Sequence, residues 1–190
     1  MGKGRIEAFS DGVIAIIITI MVLELHAPHE TTLAALVPEI PIFLSYVLSF
    51  IFVGIYWNNH HHLFHAVKSV SGPVLWANLF LLFWLSLIPF VTAWMGENHL
   101  EAVPVALYGA DLLMCALAYS VLLHFLLKHE GAASTLALAI GRDLKGYGSL
   151  VIYLAGIASA FVNVYLAIAL YLLVSVIWFV PDRRIEKRIG

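Results

Sequence analysis

The sequence predicts an all-α membrane protein with six transmembrane helices per subunit, and three observations carry that prediction. Hydrophobic residues make up 62% of the 190 positions and charged residues 12%, about half the charged share of a soluble domain. The apolar residues gather into runs of about 20, the length an α-helix needs to cross a bilayer core. Once six helices are drawn, all ten Lys and Arg fall on one side of the membrane, as the positive-inside rule requires. The chain reads as one compact membrane domain, 1–190.

The first predicted helix covers about 5–25 and stops at His26–Glu30, where Pro28 interrupts it. The second covers about 38–60. It is entered through Pro38 and Pro41, tolerated in a first turn whose N–H groups have no intrahelical partner anyway. Its exit is Tyr56-Trp57-Asn58-Asn59-His60-His61-His62. The third covers about 73–95, with a kink predicted at Pro89. The fourth covers about 103–127 and contains Asp111; a polar-to-mixed connector, 128–145, follows. The stretch Gly146–Val180 carries no charge. As one helix it would be about 52 Å long against a hydrocarbon core of about 30 Å. It is therefore read as two helices, 146–161 and 163–180, reversing near Asn163.

Charge placement sets the orientation. With the N-terminus inside, the cytoplasmic segments hold Lys3 and Arg5, then Lys68, then Lys128, Arg142 and Lys145, then Arg183, Arg184, Lys187 and Arg188. The external loops hold acids such as Glu30, Glu97 and Glu101. Merging the last two helices would carry the C-terminal basic cluster outside. Both termini are thus expected in the cytoplasm and the protein in the plasma membrane. Lys3 and Arg5 precede a run too long for a signal peptide, with no small-residue cleavage site after it. Cys115 is the one cysteine, so no intrachain disulfide can form.

Four groups of residues invite chemistry. Arg5 stands one turn before Phe9-Ser10-Asp11. A carboxylate at a membrane-helix centre costs roughly 2.5–3.5 kcal/mol, and less near an end. The helix dipole favours an acid at this position; the sharper reading is a polar network or pathway. The second group is His60-His61-His62 with His65. His61 and His65 share a face at a spacing that suits a metal, but no CxxC or HExxH motif accompanies them. Hydrogen bonding inside the bundle is the expected role, and no metal site is expected. The third is Asn78 with Ser86, residues that bond between membrane helices.

The fourth group is a stripe. At about 100° per residue, Gly12, Ile16, Thr19 and Leu23 share one narrow face of the first helix, and Asp11 points roughly 140° from Ile16 toward other helices. The plain reading is a packing face. The functional reading is that several copies face an axis and form a narrow hydrophobic pore, with Glu24 at its outer mouth favouring cations. A Thr-Val-Gly-Tyr-Gly filter, an Arg-rich voltage sensor, a Walker A loop and a Gly-x-Ser-x-Gly elbow are all absent from the sequence. No enzymatic activity is expected.

These residues also resemble a known family. Arg5-x-x-x-Phe9-Ser10-Asp11, Tyr56-Trp57-x-x-His60-His61, Asn78-Leu79 and Ser86-Leu87-x-Pro89-Phe90 are similar to the signature of the endolysosomal potassium channel family and its prokaryotic relatives. The resemblance is specific in the first three helices and extends over the six-helix length. It implies a homotetramer of six-helix subunits, with the first helix lining the pore. It also implies a constriction of large apolar side chains and a threonine that contributes to potassium selectivity. By spacing from Phe9-Ser10-Asp11 these are Ile16, Thr19 and Leu23, the residues of the stripe. Arg5, Phe9, Ser10 and Asp11 are then expected to tie the pore helix to His60, His61 and Asn78.

The leading expectation is a potassium-preferring cation channel. Its expected partners are further copies of itself, membrane lipids and monovalent cations; no nucleic acid and no cofactor beyond the permeant potassium ions are expected. The competing class is a proton-coupled or proton-conducting secondary carrier that relays through Asp11 and His60/His61. A structural subunit without transport is the third.

Overall fold

The computed structural model describes residues 2–131, 134–140 and 143–179. Arg142, Val180 and the basic residues Arg183, Arg184, Lys187 and Arg188 lie outside the described residues. The rest is helical: α1 Gly4–Leu23, a turn of 3-10 helix at Leu33–Leu36, α2 Ile40–His65, α3 Gly72–Leu85, α4 Ile88–Glu97, α5 Ala102–Glu130, α6 Thr135–Ile140, α7 Leu144–Ala160 and α8 Val164–Phe179. Four spans are long and apolar enough to cross a membrane: α1, α2, the α3–α4 pair and α5. The apolar helices α7 and α8 are shorter, at 17 and 16 residues.

Three helices depart from the sequence reading. The third is broken rather than kinked: α3 stops at Leu85 and α4 starts at Ile88. Pro89 explains the position. It has no N–H for the carbonyl four residues back, Leu85, and its ring crowds that carbonyl. Ser86 N–H turns to Leu82 O (2.9 Å) and Leu87 N–H to Trp84 O (3.0 Å), which closes the end of α3. The second helix does not exit at the histidines but runs on to His65, because Asn59 and His60 are buried against neighbouring helices. The fourth extends at both ends, to Ala102 and Glu130.

The last two helices are capped by their own polar residues. Asp143 accepts from Gly146 N–H (2.9 Å) at the start of α7. Asn163 accepts from Tyr165 N–H (2.9 Å) and Leu166 N–H (3.2 Å), satisfying two of the orphan donors that open α8.

Packing divides into two apolar clusters. One joins α1, α2, α3 and α5 through Ile14, Met21, Val53, Phe64, Leu81 and Leu122. The other joins α2, α4, α5, α7 and α8 through Phe52, Met95, Tyr108, Tyr153 and Tyr171. Small residues allow the close approaches, as in other membrane bundles. A Cβ on Gly96 would stand 2.8 Å from the Ile42 Cα, so α2 and α4 meet there backbone to backbone. Gly109 and Gly156 leave the space that the Tyr171 ring fills.

Candidate functional site

Helix α1 has two faces. Ile6, Ser10, Ile14, Ile17 and Met21 recur every three or four residues and are buried. The opposite face holds Gly12, Ile16, Thr19 and Leu23, all exposed in the subunit, with Ile16 at 58% and Leu23 at 75%. The stripe is therefore turned largely away from its own subunit's helices, although Ile16 borders a groove toward α4. Thr19 Oγ1 donates to the Ile16 carbonyl (2.9 Å), so its hydrogen is used within the helix while its lone pairs face outward. Glu24, just past the end of α1, is half-buried. It shares a groove of about 660 Å³ between α1 and α4 with Ile16, Ile20, Phe90, Trp94 and Glu97.

Behind the buried face lies a polar junction. Asn78 of α3 donates through Nδ2 to Ser10 Oγ (2.9 Å), and its Oδ1 bonds to His60 Nε2 (2.8 Å). Because an amide oxygen only accepts, His60 carries its proton on Nε2. Ser10 is 0%, Asn78 1% and His60 2% exposed. One amide thus joins α1, α2 and α3 at a point without solvent, where an unmade bond would be costly. The His60 ring also packs on Phe64 at 4.5 Å between centroids.

The other expected anchors lie outside this junction. Ser10, not Asp11, turns into the bundle, because Ser10 shares the apolar register of Ile6 and Ile14 and Asp11 is one residue off it. Asp11 is exposed and accepts from Trp57 Nε1 (3.0 Å) on α2. His61 is exposed as well. Its ring stacks between Trp57 (6.1 Å) and His65 (6.2 Å). Arg5 and Phe9 are exposed, and Arg5 forms no hydrogen bond or ion pair among the described residues.

Two further ties escaped the sequence reading. In the sequence Trp57 is only part of a motif, although an indole N–H at a helix end needs an acceptor and Asp11 supplies one. Lys3 marks only a topological charge there. Its ammonium donates to Phe64 O (2.7 Å) and His65 O (3.1 Å) and lies 3.7 Å from Glu7. A cation on the last carbonyls of α2 is favoured by the helix dipole, and it fixes the start of α1 to the end of α2. No group of three or more metal-ligating side chains occurs among the described residues.

Residues 5–89 match the family described as Endosomal/lysosomal potassium channel TMEM175. A potassium channel of Chryseobacterium sp. (strain P1-3) is 56% identical over 187 residues, 98% of this chain and 97% of that one. A potassium channel of Chamaesiphon minutus is 33% identical over 181 residues, 87% of each chain. A Gallus gallus protein named endosomal/lysosomal proton channel is 30% identical over 145 residues, 65% of this chain and 29% of that one. Among solved structures, that of a lysosomal potassium-selective channel TMEM175 homolog from Chamaesiphon minutus aligns with a TM-score of 0.82 at 28% identity. It covers 95% of this chain and 97% of that chain.

Proposed function

The chain belongs to the endosomal/lysosomal potassium channel family TMEM175, and from that premise we propose that four copies form a potassium-preferring cation channel lined by α1. The observation that carries this reading is the pair of faces on α1. One is packed, and the other is apolar with a single hydroxyl and largely exposed in its own subunit. Bacterial relatives named potassium channels align over nearly the whole chain, which supports the same function here.

Four copies of Ile16 and Leu23, about 10.5 Å apart along the helix and about 20° apart around it, form a short apolar collar. Such a collar gates by dewetting and strips water from an ion. The methyl groups return nothing for that lost hydration, so preference between ions falls to Thr19. Its hydroxyl hydrogen is held by Ile16 O, which leaves the oxygen lone pairs for a cation or its water. Glu24 and Glu97, which share one groove, concentrate cations at the outer mouth. The Ser10–Asn78–His60 junction, the Trp57–Asp11 bond and Lys3 hold α1 at its angle, with Arg5, Phe9 and His61 beside them. The subunit crosses the plasma membrane six times with both termini cytoplasmic.

A proton relay through Asp11 and His60/His61 has less support. His60 is bonded to Asn78, Asp11 to Trp57, and no hydrogen bond joins Asp11 to either histidine among the described residues.

The test is single-channel recording in planar bilayers under potassium/sodium bi-ionic conditions. Ile16→Asn should raise unitary conductance by wetting the neck. Thr19→Val should shift the reversal potential toward that of an unselective pore, and Thr19→Ser should retain the preference. An unchanged reversal potential in Thr19→Val would remove Thr19 from the selective step. Single cysteines at 2, 98 and 162, in a background lacking Cys115, test the topology. Position 2 should label from inside and the other two from outside; labelling of 162 from inside would refute six crossings.

A further inference from the structure

The outer helices enclose a small space in which α1 takes no part. It lies among α2, α5, α7 and α8 and measures about 40 Å³; Phe52, Tyr56, Asn59, Tyr153 and Trp178 form much of its wall. One water needs roughly 10–15 Å³ of such space, so two or three fit.

The phenols in its wall say that it is wet. Tyr153 is only 2% exposed, its ring held by Phe52 and Tyr171, and its hydroxyl has no hydrogen bond among the described residues. The same holds for the hydroxyl of Tyr56. A phenol enclosed in an apolar bundle without a partner is costly, and both of these phenols line the cavity.

We propose that each subunit carries an internal hydration site, separate from the central pore, in which two or three ordered waters bond the Tyr153 and Tyr56 phenols. The phenols donate to the waters, and Asn59 Oδ1 is a further acceptor. Apolar cavities of comparable size stay dry, so hydration and dryness are distinguishable outcomes.

X-ray radiolytic footprinting of the whole channel in lipid nanodiscs, in water enriched in oxygen-18, tests it. Radicals formed from a water in contact with a side chain label that side chain even when bulk solvent cannot reach it. Tyr153 and Phe52, each 2% exposed, should incorporate the isotope at least about tenfold faster than Phe64, which is 0% exposed and lies outside the cavity wall. Equal rates would mean a dry cavity and overturn the proposal. Ala116→Val, which fills part of the same wall, should abolish labelling of Tyr153 and leave unitary potassium current unchanged. A twofold or greater fall in current would overturn the separation from the pore. Tyr153→Phe, which removes one oxygen and nothing else, covers the case in which the fuller wall does not fold. It should slow labelling of Phe52 severalfold, and an unaltered rate would count against the proposal.

Discussion

Asn78 and Asp111 are both nearly inaccessible, at 1% and 5% exposure, yet they are built into the bundle in opposite ways. Asn78 sits where three helices converge and spends its amide on two of them: Ser10 of α1 and His60 of α2. Asp111 sits buried on α5, and its two oxygens find no donor among the described residues. The difference teaches that polar atoms in membrane helices do two separate jobs. One kind fixes helices to one another and is expensive to remove, because removal strands its partners. The other kind is retained at a cost to the fold, and replacing it by an apolar side chain of like shape is neutral or stabilising.

The widest gap is expected from Asn78→Ala. It leaves the Ser10 hydroxyl and the His60 imidazole buried without partners, at about 1–3 kcal/mol each. A total of about 2–6 kcal/mol should appear as a large fall in melting temperature and a loss of the proposed tetramer on size-exclusion chromatography in detergent. A tetramer as stable as the parent would mean that the amide does not hold α1. Ser10→Ala removes one bond and frees one donor of an amide that keeps its other partner. The expected cost is about 1 kcal/mol, in line with measured interhelical hydrogen bonds in membranes. If Ser10→Ala matched Asn78→Ala in cost, the junction would act as a single unit rather than as two separable bonds.

Several parts of this arrangement were legible in the residues, for identifiable reasons. Apolar runs and low charge disclose membrane helices because lipid imposes one requirement on every position. The family signature in α1 to α3 disclosed which residues matter. It did not disclose which way each one points. Asp11 is expected to face other helices and does reach Trp57 of α2, but the register set by Ile6, Ile14 and Ile17 turns Ser10 into the buried junction. His60 and Asn78 come into one network only through the family resemblance, because 18 residues separate them in the chain. The break after Leu85 was read as a kink, since a proline's effect depends on whether the freed carbonyls find other donors, and no sequence pattern states that. Lys3 on the end of α2 joins residues more than sixty positions apart. Contacts of that span are fixed by packing, not by local pattern.

Trp57→Phe probes a tie intermediate between the two centres. Its bond to Asp11 is charge-assisted but exposed, with Trp57 at 45%, and exposed polar pairs contribute about 0.2–1 kcal/mol. The melting temperature should fall by a degree or two, about 0.5 kcal/mol, with the tetramer intact. Dissociation of the tetramer in Trp57→Phe would show that the indole or Asp11 is buried between subunits, where the same bond is worth more.

The smallest effect belongs to Asp111→Leu, and it bears hardest on the comparison. Leucine copies the branched shape of aspartate and adds no polar atom, so no hydrogen bond among the described residues is lost: Asp111 has none there. What the substitution removes is the cost of holding a carboxyl group, 5% exposed, in the interior without a donor. Stability should change by less than about 1 kcal/mol, and toward the more stable side. Potassium current should persist, because α1 and its anchors are untouched. The measurement is a thermal melt of the detergent-solubilised variant beside Asn78→Ala under one set of conditions. A loss as large as that of Asn78→Ala would place Asp111 in a satisfied network like the first, and the contrast between the two centres would fall.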